Sequence, residues 1–442
     1  MKTKLKKYGN KIINIIKQNY PICIILLIAL ILHIVAFIEL GYNYNLNSDD
    51  VSYIRSGITF FETGKITMHG FISAQIMPGM TFLIALFCLL FGTGSLLIYA
   101  LKIFWIIMGL MTIIVVYRTL RLYTNKYISA IPCILFLVPD YIWMNNIILT
   151  ETPFILLFAL LIYHTLKISI KENKKDYILI VIYYITAVFI RPNIGIFPLF
   201  LFIFLLLKKY NFKLLIKQCI IAGIILIVTL IPWTYRNYKV FDRFIPLTYG
   251  MGNPLLLGTY QGVGYPLDEE LDYQKNVDEK MTDEMKYYLE NTNEKDYLSR
   301  YYLLEYDGMK AEYRMDEWWK KDKISMLKSY LIYKPYALVY NCFYWDTIFG
   351  IERNVLLLIR RIDIILFIVS SLVILINKEK FKDWLFLMLV YGSQVLLYAY
   401  TYAFGRYAIS MFFIRYIIIG IGIGIIYNKL KTKMKKRKVV KL

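Results

Sequence analysis

No two of the five cysteines (Cys23, Cys88, Cys133, Cys219 and Cys342) stand at metal-ligand spacing, and four lie in apolar stretches. They read as small buried hydrophobes, not as a disulfide frame or a zinc site. Charge is scarce: 19% of the 442 residues are charged against 58% hydrophobic. A soluble domain of that make-up would expose too much apolar surface. Aromatic-basic modules are missing, so the net charge of +21 is no nucleic-acid footprint, and no nucleic-acid partner is expected. Internal repeats and low-complexity linkers are missing too. No small-x-small site follows the first apolar run, which is longer than a signal-peptide core and reads as an uncleaved anchor.

What is present is a series of apolar stretches. They run over 21–40, 76–92, 95–117, 127–143, 147–166, 176–190, 192–207, 213–234, 355–376, 384–403 and 407–427. If all eleven crossed a bilayer, several basic loops would lie on the outer side, against the positive-inside bias. Residues 76–92 are at the low limit for a span and are bracketed by Pro78-Gly79 and Gly92-Thr93-Gly94. Laying that segment along the outer face puts the loops 118–126, 167–175, 208–217 and 377–382 and both basic ends inside. The expected fold is therefore an all-α polytopic membrane protein in the cell membrane. It has about ten transmembrane helices and cytoplasmic termini.

The expected division is a basic head at 1–20, a transmembrane module at 21–234, an external helical domain at 235–350, C-terminal spans at 351–427 and a basic tail at 428–442. Residues 41–94 form a long external loop with amphipathic, membrane-lying helices. Between Asp268 and Asp322 lie 17 of the 31 acidic residues, at helical spacing and with the polarity of a solvated surface.

A few charges are not loop charges. Asp49 and Asp50 follow the first span, with Tyr53 and Arg55 one helical turn on. Ser48 can cap a helix whose first turn holds both acids; the alternative is chemistry at the membrane surface. Glu151 starts a span, either beside the helix dipole or in a site. Arg191 stands at an outer corner, where it either snorkels to headgroups or holds an anionic substrate. Lys102 and Arg406 pose the same question at two other outer span ends. Three carboxylates and three cations at one mouth suit a lipid phosphate ester: cations hold the phosphate and a carboxylate takes a proton from the attacking group. His69 reads as an exposed loop histidine, with a role in the site as the alternative, and His33 and His164 read as packing residues. Trp318-Trp319 either seats the external domain on the membrane or faces an acceptor.

Several segments, in order, resemble the GT-C membrane glycosyltransferases, in the bacterial branch similar to protein O-mannosyltransferases and the aminoarabinose transferase of lipid A (glycosyltransferase family 39-like). They are NSDDVSYIRSGITFFETGK, AQIMPGMTFLIALFCLLFGTGS, IILTETPFILLFALLIY, FIRPNIGIFPLFLF, IPWTYRNYKVFDRFIPLTYGMGNPLLLGTYQG and FGRYAISMFF. The chain departs from the family pattern with Asp-Asp in place of Asp-Glu, with Met77-Pro78-Gly79 in place of Lys/His-Pro-Pro, and without Pro after Arg406-Tyr407. These departures bear on substrate more than on fold.

The resemblance implies a GT-C-like bundle that moves a sugar from a polyprenyl-phosphate lipid to an acceptor on the external side, with inversion. The acceptor is a glycan, a lipid or a protein. In that reading Asp49 is the general base and Asp50 orients the site or binds a cation. Tyr53, Arg55 and Glu151 line the substrate cavity, and Arg191, Lys102 and Arg406 neutralise the phosphate. A divalent metal held by Asp49, Asp50 and Glu151 is a candidate cofactor, and no other is indicated. The competing class is a polyprenyl-linked sugar or lipid flippase, which would call for mid-membrane polar groups and repeated halves.

Overall fold

The computed structural model describes residues 16–291, 297–378 and 380–439. Most of the basic head and the last residues of the tail lie outside them. Among the described residues the protein is helical apart from one antiparallel hairpin.

The chain enters through α1 (Tyr20–Leu40), whose apolar run ends at Gly41. Next come α2 (Asp49–Thr63), the hairpin β1 (Thr67–Met68) and β2 (Phe71–Ile72), and α3 (Gly79–Phe91). At 1.5 Å per residue the 13 residues of α3 reach about 20 Å, short of a bilayer core of about 30 Å. α3 instead packs against α2. A Cβ on Gly57 would stand 2.4 Å from Ile84 Cγ2, so only glycine permits the approach. Ser56 and Thr81 share a 2.8 Å hydroxyl contact beside it.

The bundle continues with α4 (Ser95–Leu120). The stretch expected as one span over 127–143 is broken into α5 (Lys126–Ala130), a 3₁₀ segment (Ile131–Leu137) and α6 (Pro139–Met144), with Pro132 and Pro139 at the breaks. α7 (Glu151–Ile170) and α8 (Lys174–Ile190) follow as an antiparallel pair. After a 3₁₀ corner (Pro192–Ile196) come α9 (Phe197–Leu207) and α10 (Phe212–Phe241), the latter with apolar side chains such as Ile224 and Ile227 facing outward.

The segment before the last spans is a small helical domain: α11 (Gly252–Gly258), α12 (Tyr273–Asn276), α13 (Asp283–Glu290), α14 (Tyr297–Lys321), α15 (Lys323–Lys328) and α16 (Lys334–Tyr340). Its core is organised by the buried Arg314, which donates to Thr259 Oγ1, Pro266 O and Tyr273 OH, each at 2.7 Å, and lies on the Tyr260 ring. Trp318 is fully buried here and donates to Ser325 Oγ at 2.7 Å, so it neither seats the domain on a membrane nor faces an acceptor. Trp319 is exposed.

The chain closes with α17 (Arg353–Asn377), α18 (Phe381–Tyr400), α19 (Gly405–Ile409) and α20 (Phe412–Val439). Five stretches among the described residues are long and apolar enough to cross a membrane: Tyr20–Leu40, Ser95–Leu120, Glu151–Ile170, Phe212–Phe241 and Gly405–Met434. The other five expected spans are broken, short or charged. α17 carries Arg360 and Asp363 buried within it. Arg360 reaches Asp140 on α6 at 2.8 Å and Asp363 at 3.0 Å, and Asp363 meets Arg415 on α20 at 2.5 Å. Four charges cancel pairwise, which is how a helix with such a sequence stays inside the bundle.

Candidate active site

α2 begins at Asp49, and both carboxylates of the acidic pair fall in its first turn. Ser48 occupies the N-cap position, yet its side chain makes no capping bond, contrary to expectation. Asp50 supplies the acceptor instead: its carboxylate takes the backbone N–H of Leu46 at 2.7 Å and of Ser48 at 3.1 Å. Asp50 is 1% exposed. It fixes the loop into α2, and its neighbour Asp49 is left facing a cavity of about 590 Å³.

Four charged residues from four parts of the chain meet at that cavity. Glu151 starts α7 and is fully buried. Its Oε1 accepts from Arg191 Nη1 at 3.0 Å and from Arg406 Nε at 2.7 Å. Arg406 then donates from Nη1 to Asp49 Oδ2 at 2.6 Å. The result is one continuous chain, Arg191–Glu151–Arg406–Asp49, with net charge zero. Asp49, Arg191 and Arg406 line the cavity, and Tyr53 joins them from the next turn of α2. Burial, reinforced by the Asp49 carboxylate, pushes the Tyr53 hydroxyl well above its ordinary range, so it stays a protonated donor.

Local structure holds each member in place. Trp105 Nε1 donates to Leu149 O at 2.9 Å, and Thr152 Oγ1 donates to Asn145 Oδ1 at 2.8 Å, which fixes the turn into Glu151. His33, a packing residue as expected, supports Asn145 through a 3.2 Å contact. Arg191 sits where α8 ends. A Cβ on Gly79 would stand 2.3 Å from Phe189 O, so the start of α3 is locked against this corner. The Arg191 guanidinium lies 5.2 Å from the Tyr407 ring and 5.9 Å from Tyr398, two rings stacked at 4.6 Å.

Glu151, expected to line the cavity, is off its wall and instead holds the two arginines that are on it. Three further expected site residues are placed elsewhere. Lys102 is buried, but its Nζ donates to Gly41 O at 3.2 Å and Tyr44 O at 2.8 Å and does not line the cavity. It ties down the loop between α1 and α2. Arg55 is exposed and also outside the cavity wall. Asp50 serves the loop, as described. A metal set of Asp49, Asp50 and Glu151 does not form either: the first and third share Arg406, the second is spent on backbone N–H groups, and no His/Cys/Asp/Glu group able to hold a metal ion gathers among the described residues.

His69 joins the site despite its loop position. Its Nε2 lies 3.4 Å from Asp49 Oδ1, and its Nδ1 lies 3.0 Å from Ser52 Oγ. Asn193 and Tyr398 form a further polar group on the wall, tied to Gln394: Asn193 Nδ2 donates to Gln394 Oε1 at 2.7 Å and to Tyr398 OH at 2.8 Å. Sequence reading missed this trio and the Asp140–Arg360–Asp363–Arg415 cluster. The available signal was polar side chains inside apolar runs, at Gln394, Arg360-Asp363 and Arg415.

Residues 76–235, about a third of the chain, match the family model for dolichyl-phosphate-mannose-protein mannosyltransferase. No curated protein sequence matches. Among solved structures, the archaeal oligosaccharyltransferase AglB from Archaeoglobus fulgidus, in complex with an inhibitory peptide and a dolichol-phosphate, has a TM-score of 0.53 at 13% identity, over 96% of this chain and 52% of that one. The apo form of the Archaeoglobus fulgidus oligosaccharyltransferase has a TM-score of 0.50 at 11% identity, over 94% and 52%. This chain thus spans about half the length of those proteins. ArnT from Cupriavidus metallidurans bound to undecaprenyl phosphate matches over 90% of this chain and 77% of its own, at 14% identity and a TM-score of 0.42. The protein is an all-α polytopic membrane protein with the GT-C fold.

Proposed function

We propose that this protein is a membrane glycosyltransferase that moves a sugar from a polyprenyl-phosphate lipid to an acceptor hydroxyl, with inversion. The observation that carries this reading is the Arg191–Glu151–Arg406–Asp49 chain at the wall of one cavity. The acceptor hydroxyl gives its proton to Asp49 as its oxygen bonds the anomeric carbon. The bond from that carbon to the phosphate oxygen breaks, and its electron pair stays with the phosphate.

Arg191 and Arg406 each keep guanidinium N–H groups beyond those bound to Glu151 and Asp49, and these can receive the leaving phosphate. One donor placed on developing charge contributes about 3 kcal/mol. Glu151 holds the two guanidinium groups in place and touches neither reactant. Residues 139–151 and the corner at Arg191 share the outer side with 41–94, and the lipid tail lies along the apolar spans.

The test is transfer or release of labelled sugar from radiolabelled polyprenyl-phosphate sugars by purified protein. A positioned base contributes about 10²–10⁴-fold, so Asp49→Asn should lower turnover by that order in protein that inserts and purifies folded. Wild-type turnover in Asp49→Asn would defeat the base assignment, and lipid movement without transfer or hydrolysis would favour a flippase.

A further inference from the structure

The loop between α2 and α3 spends an unusual conformation on one histidine. β1 and β2 are joined by His69 and Gly70, with φ of 53° and 88°. Two positive φ values match the tight hairpin turn that follows strand twist, a turn that normally selects Asn or Gly at its first position. Few non-glycine residues take this region, and histidine is among those that do so more often. Here it aims the ring back at the first turn of α2, with Asp49 at Nε2 and Ser52 at Nδ1.

Ser52 Oγ lies 3.0 Å from Nδ1 and 3.3 Å from Ser48 O. With its hydroxyl donated to Ser48 O, its lone pair takes the Nδ1–H and Nε2 presents a lone pair to Asp49 Oδ1, the tautomer that proton transfer from Asp49 requires. Asp49's other oxygen is occupied by Arg406, so Oδ1 is the oxygen through which a proton passes on.

We infer that His69 is the proton-accepting partner of Asp49. It draws off the proton that Asp49 takes from the acceptor and returns it to water. The inference rests on the reading of Asp49 as the base. In balance, the acceptor O–H breaks toward Asp49, the proton moves from Asp49 Oδ1 to His69 Nε2, and the imidazolium loses it to solvent through a ring that is 33% exposed. His69 acts through Asp49 and is a positioning residue, not a catalytic one.

The charged surroundings fit an acceptor that stays neutral between turnovers. Asp49 faces the ring from α2 and Arg300 acts on it from α14, while Arg236 of α10 holds the hairpin through Ile66 O and Ser73 O. Burial lowers the imidazole's affinity for a proton, Asp49 opposes this, and Arg300 adds to it, leaving the net direction downward.

The chain holds only three histidines, so imidazole ¹⁵N spectra of the full-length protein in detergent read the pair directly. His69 is assigned by its loss in His69→Gln or, should that variant not fold, by its stronger response to a soluble paramagnetic probe. Expected are the Nδ1–H tautomer at neutral pH and a fall of about one unit in the His69 pKa in Asp49→Asn, the size a lost opposite charge gives. His69→Gln should lower turnover about tenfold or more at unchanged KM and shift the acid-side inflection of the pH profile. An Nε2–H tautomer, a titration indifferent to Asp49→Asn, or an unchanged pH profile in His69→Gln would overturn the inference. Turnover of Asp49→Asn tests the base and the tautomer tests the pair, so the two readings fail separately.

Discussion

Arg406 donates to Asp49 at 2.6 Å across 357 residues of sequence. The first and last parts of the chain therefore close the cavity together, and the same guanidinium continues to the fully buried Glu151. A carboxylate so held is oriented but not enclosed: the Asp49 side chain keeps 29% of its exposure. Arg406 thus serves as a strut between the buried Glu151 and the partly exposed Asp49.

The strut should show as strong non-additivity. Removing one partner of a buried ion pair costs about 3–5 kcal/mol, because the other charge is left uncompensated. Glu151→Gln and Arg406→Gln should each lower the melting temperature, and the double variant should lose much less than the sum. Contacting residues commonly couple by about 0.5–3 kcal/mol. Additive losses across the thermal-melt cycle would mean that the two residues do not interact in solution.

Asp49, Glu151, Arg191 and Arg406 were legible because each broke a local rule: a charge at the end of an apolar run has no local partner. Which of them share a cavity was not legible, since partnership across 40 or 255 residues is set by packing. Asp50 and Lys102 broke the same rule for another reason. The loop 41–48 has backbone groups that need partners, and these two side chains supply them. α3 was readable from its length and flanking Pro and Gly. The break at 131–144 was not foreseen, although Pro132 and Pro139 marked it.

Gly57 sets how closely α2 approaches α3. Gly57→Val would drive side-chain carbons into Ile84, which a Cβ alone already meets at 2.4 Å. Overpacking of this kind costs about 1–3 kcal/mol. Because Asp49 and Tyr53 ride on α2, turnover should fall as well as stability. Pairing Gly57→Val with Ile84→Ala should restore part of both, read by thermal melting and labelled-sugar transfer. Failure of the pair to recover either would place the strain elsewhere.

The Asp140–Arg360–Asp363–Arg415 cluster makes a separate stability prediction, away from the cavity. Asp140→Asn removes the charge facing Arg360 and leaves it with Asp363, which Arg415 already shares. Stability should fall by a few kcal/mol, about the cost of orphaning a buried charge. Arg360→Met in the Asp140→Asn background should recover part of the loss, since that arginine also lies on the Phe412 ring at 3.8 Å and methionine can fill the space. An unchanged melting temperature in Asp140→Asn would mean water reaches the cluster.

Lys334 gives the pH dependence its sign. It opens α16, outside the spans, after a π-helical turn at Ser329–Tyr333, and it is 1% exposed. Its Nζ has no hydrogen-bond partner among the described residues and lies 3.7 Å from the centre of the Tyr330 ring. Burial pushes its pKa down to about 7 from 10.5. The unfolded chain then holds more protons than the folded one between about pH 7 and 10.5, so stability from this group rises with pH across that window. The slope is at most about 1.4 kcal/mol per pH unit. Wild type should therefore melt higher at pH 9 than at pH 7, and Lys334→Met should flatten that difference and melt higher than wild type at pH 7. A Lys334→Met protein whose melting temperature still climbs as steeply as wild type between those pH values would show that the amine is solvated in the folded state.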